Sequence, residues 1–265
     1  AERKALEKIV RQYDEKHPDI QISILAVTSK SFRSKLEAAA PQNNGPDLFI
    51  DAHDRIGVWV KSKLIAPVPL PDTEFHPVTV EALKYNEQNY GTPLSFKCLA
   101  LFVNTKLLKD PPKDTEELIQ ISQKLQKQGI HPLVYEATTP FHHALWMHGF
   151  GGGFFDAQGN VDIAQAGNIQ ALEFFRKLQL LKIIPEEPTS ALVSLLFNQG
   201  KAAMVINGPW FLGSIDPKID YRIYPLPTIT ETKQPAKPFL TVEAAMVSAY
   251  SKNKAQAIKL AQHLS

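Results

Sequence analysis

The apolar positions of this chain change period repeatedly, and those changes mark its elements. Leu6, Ile9, Val10 and Tyr13 recur at helical spacing, so residues 1–17 are expected to form an amphipathic helix. Ile20, Ile22 and Ile24 alternate with polar residues, which predicts a strand over 20–27, followed by a helix over 31–40. The short run at 47–50 reads as a buried strand leading into Asp51-Ala52-His53-Asp54-Arg55, with a helix through Val58-Trp59-Val60 beyond it. This helix–strand alternation implies an α/β fold with a wound sheet, and such sheets place ligands beyond the carboxyl ends of their strands.

The second half has the same texture. Strands are expected at 99–103, 132–135, 202–206, 221–225 and 244–248. Helices are expected at 115–128, 141–150, 168–182 and 255–264, and a hairpin-like turn at 155–162. One stretch stands apart. A helix end carrying Leu192, Leu195 and Leu196 stops at Gly200, and a strand of small and β-branched residues follows. The Asn207-Gly208-Pro209 turn then delivers Trp210. An indole presented by a turn suits the apolar C–H face of a sugar, because a rigid ring loses little entropy on stacking. A core tryptophan beside a helix start is the competing assignment. Pro-rich segments at 66–71, 111–112, 185–188 and 225–238 are read as turns and connections, and the chain shows no internal repeat.

Composition narrows the function classes. With 265 residues, 44% hydrophobic and 21% charged, the chain can bury one or two ordinary globular cores. A net charge of +2 gives no electrostatic case for nucleic acid or an anionic membrane. The single cysteine, Cys98, excludes an internal disulfide and leaves the redox compartment open. No apolar run of about 20 residues occurs, and residues 1–17 read as an amphipathic helix rather than a signal peptide. A helix opens the chain where a wound lobe calls for a strand, so the sequence is expected to be a region of a longer polypeptide.

Catalytic arrangements are weakly supported. Adjacent helical histidines diverge by about 100°, so His142, His143 and His148 do not form a metal set with the carboxylates or cysteine available. Gly151-Gly152-Gly153 lacks the lysine and hydroxyl of a phosphate loop. Glu173, Glu186 and Glu187 lie on a helix face and a proline-flanked turn rather than at facing strand ends, where a glycosidase pair would be anchored. Nor is there a Gly-x-Ser-x-Gly nucleophile elbow. The chain is expected not to be an enzyme.

Four segments, in order and spread over essentially the whole chain, carry a resemblance. They are Asn44-Gly45-Pro46-Asp47-Leu48-Phe49-Ile50 with Ala52-His53-Asp54-Arg55; Asn104-Thr105-Lys106-Leu107-Leu108 with Pro111-Pro112-Lys113; the 197–210 stretch; and Lys237-Pro238-Phe239 with Ala244-Ala245-Met246 and Ser251-Lys252-Asn253-Lys254. Together they resemble the maltose/maltodextrin-binding proteins, the periplasmic receptors of carbohydrate ABC importers. That resemblance implies a two-lobed type II periplasmic-binding-protein fold, each lobe a wound sheet flanked by helices with a hinge between them. It implies lobe one over 1–97, lobe two over 98–238 and a return to lobe one over 239–265, with a first strand before Ala1 and further helices after Ser265. It further implies a maltodextrin-like oligosaccharide held in the inter-lobe cleft, ABC importer membrane subunits as partners, a periplasmic location (or an extracytoplasmic, membrane-associated one if tethered or fused) and no cofactor. The free chain would be a monomer, or else fused to a permease.

Carried over position by position, Asp54, Arg55, Pro140, Phe141 and Trp210 fall on the family's ligand positions. Three places depart from its pattern. Asp51 stands where the family has a tryptophan, Lys97 (or its neighbour Phe96) where it has a glutamate, and Thr139 where it has a glutamate before the Pro-aromatic pair. The exact sugar stays open, and so does the alternative of a permease-tethered interaction domain whose sugar site has changed or been lost. Asp51, Lys97 and Thr139 are carried forward as candidate contacts with the others.

Overall fold

A computed structural model describes residues 2–70 and 74–265. Ala1, at the head of the expected first helix, and Pro71, last in the expected connection at 66–71, lie outside the described residues. In chain order the helices are α1 Glu2–Lys16, α2 Ser29–Ala39, α3 Ile56–Lys61, α4 Pro77–Glu81, α5 Thr115–Gln126, α6 Pro140–Gly149, α7 Ala166–Leu180, α8 Ser190–Asn198 and α9 Lys254–Leu264. The strands are β1 Leu48–Ala52, β2 Lys84–Tyr85, β3 Gln88–Asn89, β4 Thr92–Lys97, β5 Ala100–Asn104, β6 His131–Val134, β7 Ala202–Asn207, β8 Tyr221–Tyr224 and β9 Thr241–Val247. Among the described residues no helix is long and apolar enough to cross a membrane. The chain divides into two compact units, one of residues 1–96 with 241–265 and one of residues 97–240.

The first unit carries a three-stranded sheet in the order β1-β9-β4. β1 and β9 are antiparallel, with Leu48 opposite Val247 and Asp51 opposite Ala244. Phe49 points inward from β1 and meets Trp59 of α3 edge-on, ring centroids 5.3 Å apart. Burying two large aromatics against each other fixes the angle at which β1 turns into α3. At the other end of the chain, Tyr13 of α1 lies 4.9 Å from the His263 ring of α9.

One expected element is absent. Residues 20–28 form no strand, although Ile20, Ile22 and Ile24 keep their alternation and are each half-buried. A strand requires ladder hydrogen bonds to a neighbour as well as a pattern. Among the described residues no strand pairs with this segment.

In the second unit the sheet order is β6-β7-β5-β8, with β6 parallel to β7 and β5 antiparallel to both β7 and β8. Every residue of β7 is buried, which is why it reads as an unbroken run of small and β-branched residues. Alternation along β5 serves both faces. Leu101 and Val103 join a core with α5, α6 and α7, while Phe102 joins a second core with α8. The helix starts follow local rules. Asp114 caps α5 by accepting from the Glu117 N–H at 2.9 Å, and Thr189 caps α8 at Leu192 N–H.

Candidate functional site

In the second unit the site grows out of the end of β7. The buried Asn207 accepts a hydrogen bond from Gly208 N–H through Oδ1 at 2.9 Å, which bends the chain. Pro209 then opens a 3₁₀ turn over Pro209–Ser214. Phe211 inserts into the second core, edge-on to Phe102 at 5.3 Å and 5.6 Å from Phe197. With Phe211 anchored inward, Trp210 is turned outward and is 47% exposed. Its indole folds back over the Gly208 backbone. A Cβ at residue 208 would lie 2.2 Å from two of the ring atoms, so only glycine admits this pose.

Phe141 approaches from the start of α6. Thr139 is the N-cap and Pro140 occupies the first helical position, where a missing N–H costs nothing. The Thr139 hydroxyl donates to the Glu136 carbonyl at 3.0 Å and pairs with His142 Nδ1 at 2.8 Å. The Phe141 ring lies 6.2 Å from Trp210 at 47°, and 6.1 Å from Phe239 at 24°. The Lys97 ammonium stands 5.8 Å from the Trp210 ring centroid, within cation–π range. Lys97, Thr139, Pro140, Phe141 and Trp210 therefore gather in one unit as two partly exposed rings, a capped helix start and a cation. Such a surface accepts a ligand with apolar faces edged by hydroxyls.

Three candidates sit in the first unit, around a residue the sequence did not single out. Arg33 of α2 donates from Nε to Asp51 at 3.1 Å and from its terminal amine to Asp54 at 2.9 Å. Asp51, one of the three departures from the family pattern, thus neutralises a guanidinium. Each carboxylate keeps lone pairs for further donors, and Asp54 is 54% exposed in its side chain. Arg55 follows in the same turn and is exposed. His53 accepts from the Val242 N–H through Nδ1 at 3.1 Å, tying this turn to β9. No local signal marks Arg33, because both its partners lie well beyond its own helix.

The histidines of α6 have separate occupations. His143 meets Phe175 edge-on at 5.9 Å, and His148 bonds the Lys237 carbonyl through Nδ1 at 2.9 Å. His142 is buried, and since Thr139 spends its proton on Glu136, His142 Nδ1 is the donor to Thr139. Burial pushes the His142 imidazole below its ordinary range, opposed by Glu136, and burial lowers His143 as well. In the unfolded chain both protonate near pH ~6.5, before the folded forms do. The unfolded state therefore binds more protons as pH falls below that value, and stability drops. Urea midpoints are expected to fall between about pH 7 and pH 5. The His142→Gln/His143→Gln double variant should flatten that slope; an unchanged slope would refute the assignment.

Comparison with known proteins bears on what this surface is for. The profile of the family described as bacterial extracellular solute-binding protein matches residues 1–265. A maltotriose-binding protein of Pyrococcus abyssi is 29% identical over 242 residues, covering 86% of this chain and 51% of that protein. A galactooligosaccharide-binding protein of Bacillus subtilis is 26% identical over 268 residues, covering 94% of this chain and 63% of that protein. The chain thus spans between about half and two thirds of the length of these curated relatives. A crystal structure of a cyclo/maltodextrin-binding protein complexed with maltotetraose superposes with a TM-score of 0.85 at 27% identity, covering 98% of this chain and 70% of that one.

Proposed function

This chain belongs to the bacterial extracellular solute-binding proteins, with their two-lobed type II α/β fold, and from that membership we propose that it binds a maltodextrin-like oligosaccharide for delivery to the membrane subunits of an ABC importer. The observation that carries the reading is the pose of Trp210. A half-exposed indole is laid over Gly208 beside Phe141, with the Lys97 ammonium near its ring. The turn is anchored by its buried neighbour Phe211, and the 47% of the indole left open offers a ring face to a ligand. Stacking on Trp210 and Phe141 supplies the apolar contact. Asp54 and Arg55 supply charge-assisted bonds to sugar hydroxyls, with Arg33 orienting the carboxylate. Thr139 acts through the helix cap that places Pro140 and Phe141. Asp51 acts through its ion pair with Arg33.

The names of the relatives support this substrate class and an extracytoplasmic location. They are binding proteins, which agrees with a non-enzymatic role. Galactooligosaccharide is the competing ligand, and a domain with an altered sugar site is the competing role.

Thermal unfolding with maltose, maltotriose, maltotetraose and a galactooligosaccharide tests the proposal. A ligand at a hundred times its Kd adds about 2.7 kcal/mol, which for a chain of this size raises Tm by roughly 5–10 °C. A rise with maltotriose and maltotetraose is the expected result. A rise with galactooligosaccharide alone moves the substrate class, and no rise with any sugar removes the receptor reading. Intact maltotetraose after prolonged incubation is the expected outcome of a parallel hydrolysis assay.

A further inference from the structure

We propose that Phe239 is a positioning residue for the sugar-stacking surface, holding the Phe141 ring at the angle from which it and Trp210 act together. The proposal rests on the reading of that surface as an oligosaccharide platform. The 237–239 segment reads in the sequence as no more than a crossing between lobes, and its aromatic side chain had no assigned role.

The geometry around Phe239 is that of a ring fixed on several sides. Phe141 lies against it at 6.1 Å and 24°, and Phe154 at 5.9 Å and 19°. The His148 ring meets it edge-on at 5.1 Å and 85°. His148 is itself tied to the same segment. Its Nδ1 lies 2.9 Å from the Lys237 carbonyl, an acceptor only, so Nδ1 carries the hydrogen and donates. The backbone of the segment is pinned too, with Lys237 N–H donating to the Leu145 carbonyl of α6 at 3.0 Å. Phe239 is thus locked to the same helix that presents Phe141.

Phe141 depends on this support. Its neighbour on one side is Trp210, tilted by 47° and half exposed, so that side gives the Phe141 ring only a partial, inclined contact. The near-parallel neighbour is Phe239. Offset ring pairs of this kind prefer defined angles, so Phe239 transmits the orientation of α6 and the 237–239 segment to the surface ring. A platform whose rings are fixed before binding loses less entropy when a ligand arrives.

Tryptophan fluorescence makes the test specific. Of the three tryptophans, Trp59 and Trp146 are fully buried, so quenching by acrylamide reports Trp210. Phe239→Ala is expected to weaken maltotetraose binding by about threefold to tenfold, the value of an aromatic pair. It is also expected to raise the acrylamide quenching of Trp210. Phe239→Tyr, which keeps the flat ring, should restore both. Phe155→Ala, at a neighbouring aromatic that is 61% exposed, should change neither. Full binding by Phe239→Leu, which keeps apolar volume without a ring, overturns the proposal, as does unchanged affinity and quenching in Phe239→Ala. If the unmodified protein binds no maltooligosaccharide, the platform reading falls. The quenching then decides alone whether Phe239 positions the rings, a rise supporting it and no change overturning it.

Discussion

Replacing Trp210 with alanine is expected to weaken maltotetraose binding by roughly 30-fold or more, about 2 kcal/mol, while leaving Tm nearly unchanged. The two halves of that result come from one observation. The indole is 47% exposed, so its removal opens no cavity, and the anchor of the turn is the neighbouring Phe211, which is 2% exposed. What disappears is the stacking face. Gly208→Ala tests the same surface without removing the ring. The new methyl would fall 2.2 Å from two indole atoms, so the ring must swing away from its pose. Affinity should fall in the same direction, and Trp210 emission should shift because its surroundings change. Titration calorimetry with maltotetraose on both variants, beside a urea melt, measures the outcome. Wild-type affinity in Gly208→Ala would show that the pose over the backbone does not matter for binding. A large drop in stability in Trp210→Ala would mark the indole as a packing residue.

Gly167→Ala is expected to cost about 3 kcal/mol and to lower Tm by roughly 6–12 °C. Gly167 sits in the first turn of α7, where a Cβ would lie 2.4 Å from Gly152 N, 2.7 Å from the Phe150 carbonyl oxygen and 2.8 Å from the Gly151 carbonyl carbon. All three are backbone atoms, which cannot rotate aside as a side chain would. The next residue locks the same junction. Asn168 donates through Nδ2 to the Gly153 carbonyl at 2.7 Å and to the Ile163 carbonyl at 3.1 Å. The methyl must therefore push α7 from the end of α6, and with it the contact of Phe174 on Trp146, whose centroids are 5.0 Å apart. Gly213→Ala serves as the control. Nothing lies within 4 Å of its Cβ position, so Tm should hold to within a degree or two. Differential scanning calorimetry of both variants decides the point, and a wild-type Tm in Gly167→Ala would contradict the packing described.

The sequence by itself determined the elements whose cause is local. The buried run of β7 and the Asn207-Gly208-Pro209 turn follow from residues next to one another, whereas the outward pose of Trp210 was settled by the packing of Phe211 on the distant Phe102. The resemblance built on such segments reached the family, because the motifs that define it are contiguous. Elements whose cause is distant were decided by tertiary structure. The alternation at Ile20, Ile22 and Ile24 is as regular as that of a real strand, yet a ladder needs a partner and the segment has none among the described residues. Arg33 was invisible because a helix-surface arginine looks the same whether its guanidinium meets water or, as here, Asp51 and Asp54. Phe239 was invisible because its partners Phe141 and Phe154 are brought to it only by the folding of α6 and the turn beyond it. Local sequence sets the conformations each segment prefers, within a few residues of where it is read. Which side chains then meet depends on the path of the whole backbone, and no short window of sequence contains that path.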